Sequence, residues 1–135
     1  MKKIFPAILV ALTLNACSDS KIEEKKALDD VINIHDKVMT NDEVLMQNKM
    51  KLDTLIKSAT DTAQKTQLKA VSTKLVNADS TMEVWMQKFD PEQKGKSHGE
   101  IMAYMALQKK QVAAVDSQLK VAVKESNEYL SHFKK

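Results

Sequence analysis

The sequence predicts an all-α fold, an elongated antiparallel three-helix bundle, on three observations. Beyond the amino-terminal segment, glycine and proline occur only at Pro91, Gly95 and Gly99, inside one short window. A β-rich or loop-rich fold would scatter such residues along the chain. Apolar residues recur at spacings of three and four over three long runs, the heptad pattern of coiled-coil-like seams. The connections between the runs are short, which makes successive helices antiparallel neighbours.

The first run has core-type positions at Leu28, Val31, His35, Val38, Asp42, Leu45, Lys49, Leu52 and Ile56, with Ile32, Met39 and Met46 thickening one flank. It predicts one helix from about Lys21 to Ser58. Thr40-Asn41-Asp42-Glu43 has capping-box form and two seam positions are charged, so Asn41 is where the helix is most open to a break. The phase survives across that point, and continuity is the expectation. At about 1.5 Å per residue such a helix is roughly 57 Å long, so the domain is a rod.

Asp61, with Gln64 three residues on, caps the second helix. Its seam runs Leu68, Val71, Leu75, Ala78, Met82, Trp85 and Phe89 without exception. Asp90-Pro91 ends it, because the residue before proline is pushed out of the α region. Ser97 and Glu100 form a capping box for the third helix, whose seam reads Ile101, Met105, Gln108, Val112, Val115, Leu119, Ala122, Ser126, Tyr129 and Phe133.

Ahead of these runs, Lys2 and Lys3 precede an uncharged stretch from Ile4 to Leu14, then Asn15 and Ala16. This is the order of a secretory signal. The stretch is about 11 residues where a membrane-spanning helix needs about 20, so removal is expected rather than retention. Leu14-Asn15-Ala16-Cys17 resembles a bacterial lipobox, with Leu at −3, a small residue at −1 and Cys at +1; Asn15 departs from the commoner small or β-branched residue. The resemblance implies that the Cys17 thiol takes a diacylglyceryl group and that cleavage falls just before it. The alternative is a plain signal cut near Ala16, leaving Cys17 as a free thiol. Several acyl chains, at about 0.8 kcal/mol per buried methylene, hold a protein stably on a membrane. The expected organisation is a lipoprotein signal peptide over 1–16, a lipidated Cys17 and polar tether over 17–24, and the bundle over 25–135. Ser18 after Cys17 resembles outer-membrane sorting, and the acidic residues nearby are compatible with surface export, so the expected location is the cell envelope, at the outer membrane, on its periplasmic face or at the cell surface.

The formal net charge of +3 falls to +1 once Lys2 and Lys3 are removed. Every basic residue is Lys, so the guanidinium forks that read phosphate and guanine are absent and nucleic acid is not an expected partner. The one cysteine permits no internal disulfide, so the domain must hold together by its core. No CxxC, P-loop or HExxH is present, and no Ser, Asp or His spacing fixes a nucleophile beside a base. An enzyme is not predicted, and no small-molecule substrate is identified.

Ile34-His35-Asp36-Lys37-Val38-Met39 and Ala78-Asp79-Ser80-Thr81-Met82-Glu83-Val84-Trp85-Met86-Gln87-Lys88-Phe89 resemble small helical lipoproteins of Bacteroidetes-type bacteria, often labelled "viral A-type inclusion protein". The resemblance covers most of the chain after the signal. It implies an envelope lipoprotein with no catalytic residue to carry over. Taken with the rod-like bundle and the lipid on Cys17, the expected function is a membrane-anchored structural or protein-interaction role with an unidentified envelope partner. Many of these relatives break the first helix with Pro or Gly just after the Met39 position, and this sequence has neither.

Antiparallel packing brings His35, Met39, Met82, Trp85, Met86, His98, Met102 and Met105 to one end of the bundle. Two readings of that cluster stand side by side. Methionine fills irregular gaps in cores, Trp85 is the largest core residue, and no cofactor is then needed. Alternatively, thioether and imidazole are the ligand set of Cu(I), and a Met/His pair can ligate haem iron; His35, Met39, Met82, Met86, His98 and Met102 would hold the metal, under the ring of Trp85. His132, at the opposite end, belongs to no cluster.

Overall fold

The structure, a computed structural model, describes residues 16–133. The expected signal over 1–16 therefore lies outside the described residues apart from Ala16, as does the Cys17 side chain. The described chain is helical without a strand. Three helices, α1 (Ala16–Ser58), α2 (Thr62–Lys88) and α3 (His98–Ser131), pack against one another.

α1 runs through Asn41 without interruption. Its competing polar side chains bond back onto the helix instead of capping a new one: Thr40 Oγ1 donates to the Lys37 carbonyl at 2.5 Å. The segment 17–24, expected as a tether, is instead the first part of α1. Asp19 in the first turn suits the positive end of the helix dipole. Glu23 and Glu24 then fasten the segment to α3 through the His98 ring, at 3.4 and 2.9 Å.

The caps form where the sequence places them. Asp61 accepts from the Gln64 backbone N–H at 2.7 Å, and Ser97 and Glu100 make a reciprocal capping box. Between α2 and α3, Asp90 Oδ1 accepts from the Glu92 N–H at 3.0 Å, and the chain reverses at Gly95 with φ +78°, a left-handed conformation that costs glycine nothing.

The core follows the seams, with Val31, Val38, Leu45, Leu52, Leu68, Leu75, Met82, Trp85, Met105, Val112, Val115 and Leu119 among its buried members. Three seam assignments need correction. Lys49 is only half-buried, and Asn48 beside it is 2% exposed, its amide donating to Ser126 Oγ and Asn127 Oδ1 at 2.8 Å each. Leu130 is buried where Tyr129 was expected, and Tyr129 packs from the edge. Ile32, Met39 and Met46 do not thicken the core: they remain 37%, 39% and 44% exposed. The two corrections on α1 share one reason. α1 touches both neighbours, so its buried face is widened toward α3, on the side of Ala27, Ile34 and Leu55, and not toward Ile32.

Candidate functional site

Cross-helix contacts give the register that positions the His/Met cluster. His35 of α1 meets Met86 of α2, Nε2 to Sδ at 3.3 Å. The two helices are antiparallel, so Met39, one turn after His35, lies by register opposite Met82, one turn before Met86. One turn further, Asp42 faces Asp79 closely enough for their charges to interact.

The His35 ring is held on three sides. Nδ1 stands 3.2 Å from Asp36 Oδ1, Nε2 faces Met86, and the ring stacks on Trp85 with centroids 5.8 Å apart. That stack continues from Trp85 to Phe89 at 5.0 Å and from Phe89 to Tyr104 of α3 at 6.2 Å, so one aromatic column joins all three helices. Trp85 Nε1 donates to Gln108 Oε1 at 2.9 Å, and Tyr104 Oη accepts from the Asp90 backbone N–H at 2.8 Å. Every polar atom that the column carries inward thus has a partner, as burial requires.

The six predicted ligands are not all together. His35 and Met86 touch, Met82 is buried one turn away, and Met39 and Met86 are about 40% exposed. His98 is turned toward α1, where its nitrogens meet Glu23 and Glu24. Met102 is half-buried on the face of α3 that, seven residues on, pairs Lys109 with Asp30 of α1 at 2.8 Å. Antiparallel packing alone gives the end of the bundle at which these residues lie, but not which of the three grooves. Asp36 was missed as a partner of His35, though its adjacency in sequence was a usable signal. Among the described residues no group of three or more His, Cys, Asp or Glu is placed to hold a metal ion.

Burial first, and then the Asp79 charge, push the Asp42 carboxyl above its ordinary value. The unfolded chain has neither influence, so folding favours the protonated acid. That contribution is present below the ordinary carboxyl range and is lost as pH rises through the raised folded value. Asp42→Asn is therefore expected to raise the thermal midpoint at neutral pH. Near about pH 3, below the free Asp value of about 3.9, the variant and the parent should melt together, which paired melting curves would show.

Compared with known proteins, the chain matches no family model, no curated protein and no solved structure.

Proposed function

We propose that this chain is an envelope lipoprotein, held on a membrane by acyl groups on Cys17 and serving as a helical rod on which an envelope partner docks. The observation that carries the reading is Leu14-Asn15-Ala16-Cys17 following Lys2, Lys3 and a short uncharged stretch. The structural part of the role rests on the fold. Three helices enclose a continuous core, and α1, at 43 residues, is about 65 Å long. No described helix is long and apolar enough to cross a membrane. For a partner, Ile32, Met39 and Met46 recur every seven residues as a narrow exposed apolar strip along α1, the kind of surface that another helix can cover.

Replacing Cys17 by Ser tests the anchor. A hydroxyl is a far weaker nucleophile than a thiol near neutral pH, so neither lipid transfer nor the matching cleavage proceeds. The expected result is an unprocessed or soluble species, where the parent enters the detergent phase on phase separation. A mature-sized Cys17→Ser protein that still enters the detergent phase would overturn the reading.

A further inference from the structure

We infer that His35 and Met86 form a binding site for a soft monovalent metal ion, Cu(I) or its analogue Ag(I), with Met39 and Met82 as the next sulfur donors in reach. The inference goes beyond the lipid-anchored role and does not rest on it.

The first support is the hydrogen-bond arithmetic of the His35 ring. A neutral imidazole has one N–H and one lone pair. With the proton on Nδ1, it donates to Asp36 Oδ1 at 3.2 Å and turns the Nε2 lone pair toward the electron-rich Met86 Sδ at 3.3 Å. With the proton on Nε2, a weak N–H···S contact forms but the ring presents a lone pair to the Asp36 carboxylate. No neutral tautomer satisfies both contacts. A positive centre at Nε2, either a second proton or a metal ion shared with Sδ, satisfies both while Nδ1 keeps its proton, and the thioether on the far side is the donor that suits a soft metal. That arrangement, a carboxylate orienting a histidine whose other nitrogen meets the metal, is the usual way proteins aim an imidazole ligand.

The distance agrees. With bonds of about 2.0 Å to nitrogen and 2.3 Å to sulfur, as closed-shell ions of this size make, one ion reaching both atoms across 3.3 Å would see them at an angle of about 100°. That is close to a tetrahedral corner. Trans ligands on a haem iron would stand about 4.3 Å apart with a macrocycle between them, so a small ion fits the pair better than haem.

Donor chemistry selects the kind of ion. Thioethers favour Cu(I) and are poor ligands for harder ions. By register, Met39 and Met82 stand one turn away on the same two helices, which makes them candidates for a second and third sulfur. Two features suit exchange with solvent and retention of charge. Met86 and Met39 are about 40% exposed, giving an ion a way in, while the Trp85 ring stacked on His35 presents a π face that attracts cations.

Trp85 is the only tryptophan, so its emission reports binding directly. The purified full-length protein, titrated with Cu(I) under anaerobic conditions against a Cu(I)-specific chelator, is expected to take up one ion more tightly than micromolar with a change in Trp85 emission. Zn(II) should leave the emission unchanged. Met86→Leu conserves volume at a partly exposed position, so it keeps the fold, and it should weaken Cu(I) binding by more than 100-fold. Asp36→Asn should weaken it by about 10–100-fold, as loss of a partner that orients a ligand does. Met50→Leu, on the exposed side of α1, should bind like the parent. His35→Ala should abolish binding, and if it also unfolds the chain the Met86 and Asp36 variants carry the test. Absence of binding tighter than micromolar, equal affinity for Zn(II), or a Met86→Leu protein that binds like the parent would each overturn the site.

Discussion

Trp85→Ala is expected to lower the thermal midpoint by more than about 10 °C. Truncating a buried Trp costs about 3–5 kcal/mol, against a total stability of about 5–15 kcal/mol, and about 1 kcal/mol corresponds to several degrees in a chain of this size. Three features place this site at the upper end. Trp85 is 7% exposed within an unbroken α2 seam. Its ring is the middle of the column from His35 to Phe89, so its loss leaves a void between helices rather than at an edge. Its Nε1–H is also the partner of Gln108, a buried side chain whose oxygen would be left unpaired. Trp85→Phe narrows the effects, since it keeps an aromatic ring in the column while removing the donor and only part of the buried volume; it should cost less than half as much. Lys74→Ala is the control. Lys74 pairs with Glu125 at 2.5 Å but both are exposed, and exposed pairs contribute about 0–1 kcal/mol. Melting curves for the three variants give the order directly, and a Lys74 change as damaging as the Trp85 change would mean that α2 packs with a different face.

Asn41→Pro is the second large effect expected, about 3 kcal/mol or more. A proline there removes a backbone N–H from the interior of α1 and sets its ring against the Lys37 carbonyl one turn back. The damage spreads because α1 is engaged on both sides of the kink. Asp30 and His35 hold its first half to Lys109 and Met86. Asn48 holds its second half to Ser126 and Asn127, and a bent helix cannot keep both sets. Asn41→Ala should have the opposite sign, stabilising by up to about 0.7 kcal/mol through helix propensity. Denaturant unfolding of the pair decides it: a proline variant within about 1 kcal/mol of the parent would mean that α1 is already broken there in solution.

The helices and most of the core were legible because seam period, caps and punctuation agree with one another. Leu68, Leu75, Met82 and Trp85 could be assigned from spacing alone, and Asp61 and Ser97 from their partners three residues on. What was not legible depends on a third helix. A seam drawn as two columns describes a helix facing one neighbour, whereas α1 faces two, so the column of Ala27, Ile34, Asn41, Asn48 and Leu55 turns inward although its two amides read as surface residues. Asn48 is tolerable in the core only because Ser126 and Asn127, 78 and 79 residues away, accept from it. His98 was placed at the right end and in the wrong groove, since its choice of Glu23 and Glu24 over the sulfur cluster depends on how far α3 is turned about its own axis. The same two glutamates make helix of a segment whose composition reads as tether.

The hydrogen bonds that lock α1 to α3 have a consequence for the entropy of folding. Glu24 to His98, Asp30 to Lys109 and Asn48 to Ser126 span 74, 79 and 78 residues, whereas Trp85 to Gln108 and Asp90 to Tyr104 span only 23 and 14. Closing the longer loops costs about 1 kcal/mol more in chain entropy than closing the 23-residue one, and all of α2 must already be in its path. The clasp between α1 and α3 is therefore the part of the fold whose closure costs the chain most entropy, and the short-range contacts of Trp85 and Tyr104 tie α2 to α3 at lower cost.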